Sequence, residues 1–312
     1  MVIFLRKIVV LMISFIILFS YKGVNVKASE YYARSYIVMD YNSGEVLEGK
    51  DYNLVRSVAS ISKIMTAIVA IENSSLDTYV KVNNDILKAY GSSIYLKIDE
   101  VVTMEDLLYG LMLRSGNDAA VTIASGVSGS VEEFVKLMNE KAKEIGMKNS
   151  IFNNPSGLDI DDEGNLSTSY DMALLMRYAL NNETFRKITS TKEYRSKNHG
   201  FWQNKNRLLR QYEYTSGGKT GFTTKAKRTL VTSAKKEDME LIVVTLDCGG
   251  DFAMHKGLYE KYFNNYKTFK LLNKGSNIFE EYELICDSSI SVTLENNEVK
   301  NNKIIYYING RS

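Results

Sequence analysis

Apolar positions follow a strand-like rhythm early in this chain, a helical rhythm through its middle, and a strand-like rhythm again towards its end. Tyr36-Ile37-Val38-Met39 and Glu45-Val46-Leu47 flank the turn cluster Asn42-Ser43-Gly44, which predicts an opening hairpin. From Val58 to Ile71 the pattern turns helical, with Ile61, Met65, Ile68 and Val69 at three- and four-residue spacings. Thr103 with Asp106, Ser130 with Glu133 and Thr168 with Asp171 read as capping boxes ahead of further helices, and Gly146 as a helix stop. The only proline, in Asn154-Pro155-Ser156-Gly157, marks a loop. Strands return at Arg228–Ala234 and Glu240–Asp247 around the polar turn Lys235-Lys236-Glu237-Asp238, and Phe252–Lys267 predicts a closing helix. Strands at both ends of a helical middle predict an α+β fold whose N- and C-terminal strands share one antiparallel sheet. After about Leu272, Ile290–Leu294 and Ile304–Ile308 are short β-like runs between Asn-rich turns. We read residues 273–312 as a short β-rich tail, and 29–272 as the main domain.

The N-terminus changes the picture of where the protein works. Arg6 and Lys7 precede an apolar stretch from Ile8 to Phe19, and Val26-Lys27-Ala28 offers a cleavage site, so residues 1–28 read as a signal peptide. The apolar run is short for a bilayer span, and no cysteine lies near the cut to indicate a lipid anchor. An exported protein acting at the outer face of the membrane or in the wall is expected. The chain carries 39 Lys+Arg against 37 Asp+Glu, a net charge of +2. Four of those cations lie in the leader, and no basic field remains to attract nucleic acid. The two cysteines (Cys248, Cys286) and two histidines (His199, His255) form no zinc pattern, so neither metal nor cofactor is expected. A Cys248–Cys286 disulfide and two buried thiols are equally compatible with the sequence.

Three strings carry the candidate chemistry, in this order: Ser60-Ile61-Ser62-Lys63, Ser115-Gly116-Asn117, and Lys219-Thr220-Gly221. Residues three apart on a helix share a face, so Ser60 and Lys63 can touch. A serine in a first helical turn also sits among free backbone N–H groups that favour a developing oxyanion. Lys63 acts as a base only when neutral, which burial and a second cation, with Lys219 the candidate, would promote. Ser115 and Asn117 fall on the connection between two helices, where Ser115 can relay a proton and Asn117 can hold a substrate amide. Thr220 and Lys219 alternate on a strand, and Gly221 leaves room for an extended peptide to lie alongside. Taken singly, each string is more often a helix surface, a cap or a loop. The ordered set is the motif set of β-lactamases and penicillin-binding proteins.

Further blocks extend the resemblance: Ala59–Ala67, Leu113–Ala120, Phe152–Leu158, Ser167–Ala173 and Asn204-Lys205-Asn206-Arg207-Leu208-Leu209. Over roughly residues 30–270 the chain resembles the low-molecular-weight penicillin-binding proteins, the serine-type D-Ala-D-Ala carboxypeptidases of the S11 type. The resemblance implies a penicillin-recognising fold, a five-stranded antiparallel sheet flanked by helices. It implies removal of the last D-alanine from peptidoglycan stem pentapeptides through an acyl-enzyme, with β-lactams as covalent inhibitors. Ser60 would be the nucleophile, Lys63 its base and Ser115 the proton relay. Asn117, Lys219, Thr220 and Gly221 would bind substrate, and the N–H groups of Ser60 and Phe222 would form the oxyanion hole. Three departures stand out. Asn165 replaces a histidine common after the Asn-Pro-x-Gly-Leu loop, and His255 is the candidate substitute for an arginine that relatives place near the closing helix. The β-rich second domain is also cut short. Two rivals are a class A β-lactamase, for which residues 159–163 lack the Glu-x-x-x-Asn spacing, and a non-catalytic peptidoglycan-binding module.

Overall fold

The computed structural model describes residues 32–159, 164–279, 282–287 and 289–298. The leader (1–28) and the run Ile304–Ile308 lie outside the described residues. Strands β1 (Ala33–Asp40), β2 (Val46–Lys50) and β3 (Arg56–Ser57) lead through a 3-10 turn (Ala59–Ser62) into helix α1 (Lys63–Asn73). Strands β4 (Tyr79–Lys81) and β5 (Val101–Thr103) form a short ladder before helices α2 (Met104–Tyr109), α3 (Asn117–Ser128) and α4 (Val131–Glu144). Strand β6 (Leu166–Ser167) pairs with β3 and precedes α5 (Ser169–Ala179) and α6 (Glu183–Ser190). The hairpin β7 (Glu193–Ser196) with β8 (Gly200–Gln203) and the single turn α7 (Leu208–Gln211) lead into three long strands. These are β9 (Thr215–Thr223), β10 (Lys227–Lys236) and β11 (Met239–Cys248), followed by α8 (Asp251–Asn265).

One five-stranded antiparallel sheet, in the order β2-β1-β11-β10-β9, carries the architecture. Opening and closing strands meet in it as the sequence predicts, with Ala33 opposite Cys248 and Asp40 opposite Leu241. The inner strands are buried on both faces, so alternate residues feed two cores. Ile37, Met39, Val231, Ile242 and Val244 point into a large core built with α1 to α6. Val38, Leu230, Leu241 and Val243 point the other way, against Phe252, Tyr259 and Tyr262 of α8. Helix α1 is buried at every position from Lys63 to Ala70. Such a helix runs through the core rather than over it, and truncating one of its isoleucines should cost about 2–5 kcal/mol.

Two expectations shift. The first turn of the helix expected from Val58 is 3-10, because Ala59 takes a left-handed backbone (φ 52°). The closing helix stops at Asn265 rather than Lys267. Beyond it, Tyr266, Thr268 and Phe269 belong to β12 (Tyr266–Leu272), which pairs with β15 (Ile290–Glu295), while β13 (Gly275–Phe279) and β14 (Tyr282–Cys286) form a hairpin between them. Thr293 on β15 donates to the buried Asp40 carboxylate at 2.9 Å, tying these strands to the end of β1. Cys248 and Cys286 are both free, and burial pushes the Cys248 thiol up to about 11.

Candidate active site

The three strings converge on a cleft of about 450 Å3 lined by Ser60, Ser92, Ser115, Lys205, Arg207, Thr220, Gly221, Phe222, Arg228 and Phe252. In a 3-10 turn, side chains three apart eclipse, so Lys63 lies directly behind Ser60, with Nζ 3.0 Å from Oγ. Lys63 is fully buried. Its other polar contacts are the Asn117 side-chain oxygen at 2.7 Å and the Ser156 carbonyl, both acceptors only. Burial lowers its pKa to about 7, helped by the Lys205 charge and opposed by Asp118.

Lys219 is the second buried amine, with its Nζ donating to Ser115 Oγ at 2.9 Å and to the Thr220 carbonyl at 2.7 Å. Burial, and then Lys63 and Lys205, hold it well below the ordinary lysine range. The cation that acts on Lys63 is Lys205, where the sequence suggests Lys219, and Lys63 in turn acts on Lys219. Ser115 sits between α2, extended by a π-helical turn to Arg114, and α3, again in the left-handed region (φ 65°). Non-glycine residues held there cost about 1–3 kcal/mol and need support from their surroundings. Ala59 adjoins Ser60, and Ser60 and Ser115 both line the cleft.

That support is visible. Asn154 Oδ1 accepts from the N–H groups of Ser156 and Gly157, and Asn165 grips the same loop from outside. The Asn165 side chain accepts from the N–H groups of Asn153 and Asn154 and donates to the Asn154 carbonyl, all within 3.1 Å. Asn165 thus supplies a buried amide that fixes the loop whose Ser156 carbonyl meets Lys63. Gly157 (φ 77°) lets that loop close onto the Ala59–Ser62 turn, since a Cβ there would lie 2.1 Å from the Ala59 carbonyl oxygen. Thr229 on β10 donates to the Val58 carbonyl at 2.9 Å. On the facing strand a Cβ at Gly221 would lie 2.3 Å from Thr229 Oγ1 and 3.0 Å from the Ser60 nitrogen. Only glycine keeps β9 this close to the turn.

His255 is not part of this cleft. It is fully buried between α8 and the sheet, with Nδ1 2.7 Å from Thr232 Oγ1 and Nε2 3.0 Å from Thr245 Oγ1. Burial drops its pKa to about 3, so it is a neutral packing residue rather than a carboxylate ligand. The cations lining the cleft are instead Lys205, Arg207 and Arg228. The guanidinium of Arg228 is held bidentately by Asp251 at 2.8 and 3.2 Å. Arg207 and Arg228 both lie over the Phe252 ring, 4.6 and 5.6 Å from its centroid. Arg207 has no ion pair among the described residues. Sequence reading gave these residues no role, although Arg207 lay inside a quoted block and Arg228 stands opposite Phe222 in the β9–β10 register.

A family model described as D-alanyl-D-alanine carboxypeptidase matches residues 22–250. The D-alanyl-D-alanine carboxypeptidase DacF of Bacillus subtilis is 40% identical over 221 residues, 68% of this chain and 56% of its own length. DacB2 of Mycobacterium tuberculosis is 33% identical, covering 69% of this chain and 74% of its own. The crystal structure of penicillin binding protein 5 from Haemophilus influenzae superposes with a TM-score of 0.79 at 29% identity, covering 87% of this chain and 85% of that one. The chain thus spans little more than half the length of its Bacillus relative.

Proposed function

The chain belongs to the D-alanyl-D-alanine carboxypeptidase family, and from that premise we propose that it is a serine DD-carboxypeptidase of peptidoglycan stem peptides. The observation that carries the reading is the environment of Lys63. A neutral amine has two N–H donors and one lone pair. Asn117 and Ser156 offer two acceptors for the donors, which leaves the lone pair facing the Ser60 hydroxyl. A pKa of about 7 keeps that lone pair free near neutral pH.

In this mechanism Ser60 Oγ attacks the carbonyl of the penultimate D-alanine while Lys63 takes its proton. The N–H groups of Ser60 and Phe222 hold the oxyanion. Lys63 then gives up that proton by way of Ser115, which Lys219 holds, to the departing amine; the C–N bond breaks to release D-alanine, and Lys63 is neutral again. Water then attacks the acyl-enzyme, with Lys63 again as base, and Ser60 regains its proton. Asn117 orients the peptide amide, and the peptide lies along the open edge of β9. Thr220, with Arg207 and Arg228 beside it, receives the terminal carboxylate. A β-lactam would acylate the same serine. The matching family model and the curated relatives are D-alanyl-D-alanine carboxypeptidases, which does not favour the class A β-lactamase alternative. Export through the leader at residues 1–28, and action at the wall or outer membrane face, belong to the same proposal.

The test is D-alanine release from diacetyl-Lys-D-Ala-D-Ala, together with intact mass after penicillin treatment. Release and a lasting adduct are expected from the mature chain, and neither from Ser60→Ala. Release by Ser60→Ala at the normal rate refutes the assignment. Rapid penicillin turnover indicates a β-lactamase, and no added mass indicates a binding module.

A further inference from the structure

Resting on that reading, we infer that Asp159 is a positioning residue: it locks the nucleophile turn to the strand end bearing the oxyanion donor, and so controls the acylation rate without touching substrate. Its carboxylate joins two walls of the site. Ser57, three residues before Ser60, donates to Oδ1 at 2.8 Å, and Thr223, next to Phe222, donates to Oδ2. The Asp159 backbone carbonyl takes the Tyr90 hydroxyl at 3.1 Å. The Tyr90 backbone carbonyl in turn accepts from Asn117 Nδ2 at 2.5 Å, and Asn117 holds Lys63. The segments carrying the nucleophile and the third string thus meet at Asp159, and the second string reaches it through Tyr90.

The need for such a tie follows from the geometry. The oxyanion hole takes one N–H from a 3-10 turn and one from the last residues of β9, so its width depends on what joins those segments. Phe222 is 64% exposed and anchors nothing by packing. Ala59, one residue before the nucleophile, occupies a strained backbone that must be held from outside. Deeper in, Thr229 holds Val58; at the mouth, Asp159 spans the gap. A carboxylate suits the task because it accepts hydroxyls through both oxygens at once. Asparagine keeps only one acceptor oxygen.

The experiment compares wild type with Asp159→Ala, Asp159→Asn, Ser57→Ala and Thr223→Val, alone and in pairs, in the full chain. Acylation rate by fluorescent penicillin, and kcat and KM for D-alanine release, are expressed per penicillin-titrated site, which a simple loss of folded protein does not alter. Asp159→Ala should slow acylation and kcat about 10- to 100-fold with KM within about twofold, the scale expected for misplacing a reacting group by under an ångström. Asp159→Asn should fall between it and wild type. Ser57→Ala added to Asp159→Ala should cost nothing further, because both remove the same tie. Should Asp159→Ala not fold, the Ser57→Ala and Thr223→Val pair decides, with a double loss no larger than the greater single one. Wild-type rates in the titratable Asp159→Ala sites, or losses that multiply in the pairs, overturn the inference. An inactive, unacylated wild type would instead refute the carboxypeptidase reading, and this role with it.

Discussion

Two buried polar clusters, one on each face of the sheet, hold a basic group close to neutrality. Around Lys63 burial lowers the amine to about 7, and around His255 it lowers the ring to about 3. Both side chains are fully inaccessible. The difference lies in their partners. Each ring nitrogen of His255 ends on a threonine hydroxyl, and Thr232 also meets Tyr259, so the network is closed. The Lys63 network is closed on two sides by carbonyl acceptors, and on the third it meets Ser60 at the floor of a cleft. Desolvation makes a weak acid or base in either place. An opening towards substrate turns only one of them into a reagent.

Removing Lys63 should break that contrast most sharply. Lys63→Ala is expected to cut kcat/KM at least about a thousandfold while the protein stays folded, the range seen for loss of a positioned base; D-alanine release and circular dichroism check it. The pH profile sharpens the same point. Because only the neutral amine accepts a proton, kcat/KM should fall about tenfold per unit below about pH 7. Stability responds in a related way. Folding lowers this amine from 10.5 to about 7, so within that window the unfolded chain binds more protons. The destabilisation is absent above pH 10.5, grows as pH falls, and is constant below 7. Melting temperatures of wild type relative to Lys63→Met should therefore rise between pH 7 and 10.

Disrupting the closed cluster should do the reverse. His255→Ala is expected to lose about 1–3 kcal/mol by stranding the buried Thr245 hydroxyl and leaving Thr232 with Tyr259 alone, with kcat/KM per folded molecule within about twofold of wild type. Urea denaturation and active-site titration separate the two quantities. The smallest effect belongs to the C-terminal strands. Thr293→Val removes one hydrogen bond to buried Asp40, should cost about 1 kcal/mol and should leave catalysis alone.

Where contacts are local, the chain announced them. Thr103, Ser130 and Thr168 cap their helices by accepting the N–H groups of Asp106, Glu133 and Asp171, as their spacing predicts. The Ser60–Lys63 pair was legible for the same reason, since three residues define the geometry whether the turn is 3-10 or α. The partners of the site were not. Lys205 acts on Lys63 from a segment more than a hundred residues away, and Asp251 matters through Arg228 rather than through a pattern with His255. Nothing in the spacing of Asp251 and His255 shows that one holds an arginine lining the cleft and the other packs in a sealed interior. The strand after Asn265 was missed because tyrosine, threonine and phenylalanine following a helix extend an apolar pattern without revealing their pairing with Ile290–Glu295.

The missing side chain at Gly221 bears on how this protein can change. Every single-base substitution that changes a glycine codon's meaning yields either a larger residue or a stop. Each larger residue would push an atom into the gap that separates Thr229 from the Ser60 backbone. Any amino-acid change at this position therefore wedges the strand away from the serine before it can alter what the cleft admits. A variant seeking to shut out an inhibitor would meet a wall here, because the passage it narrows is its own.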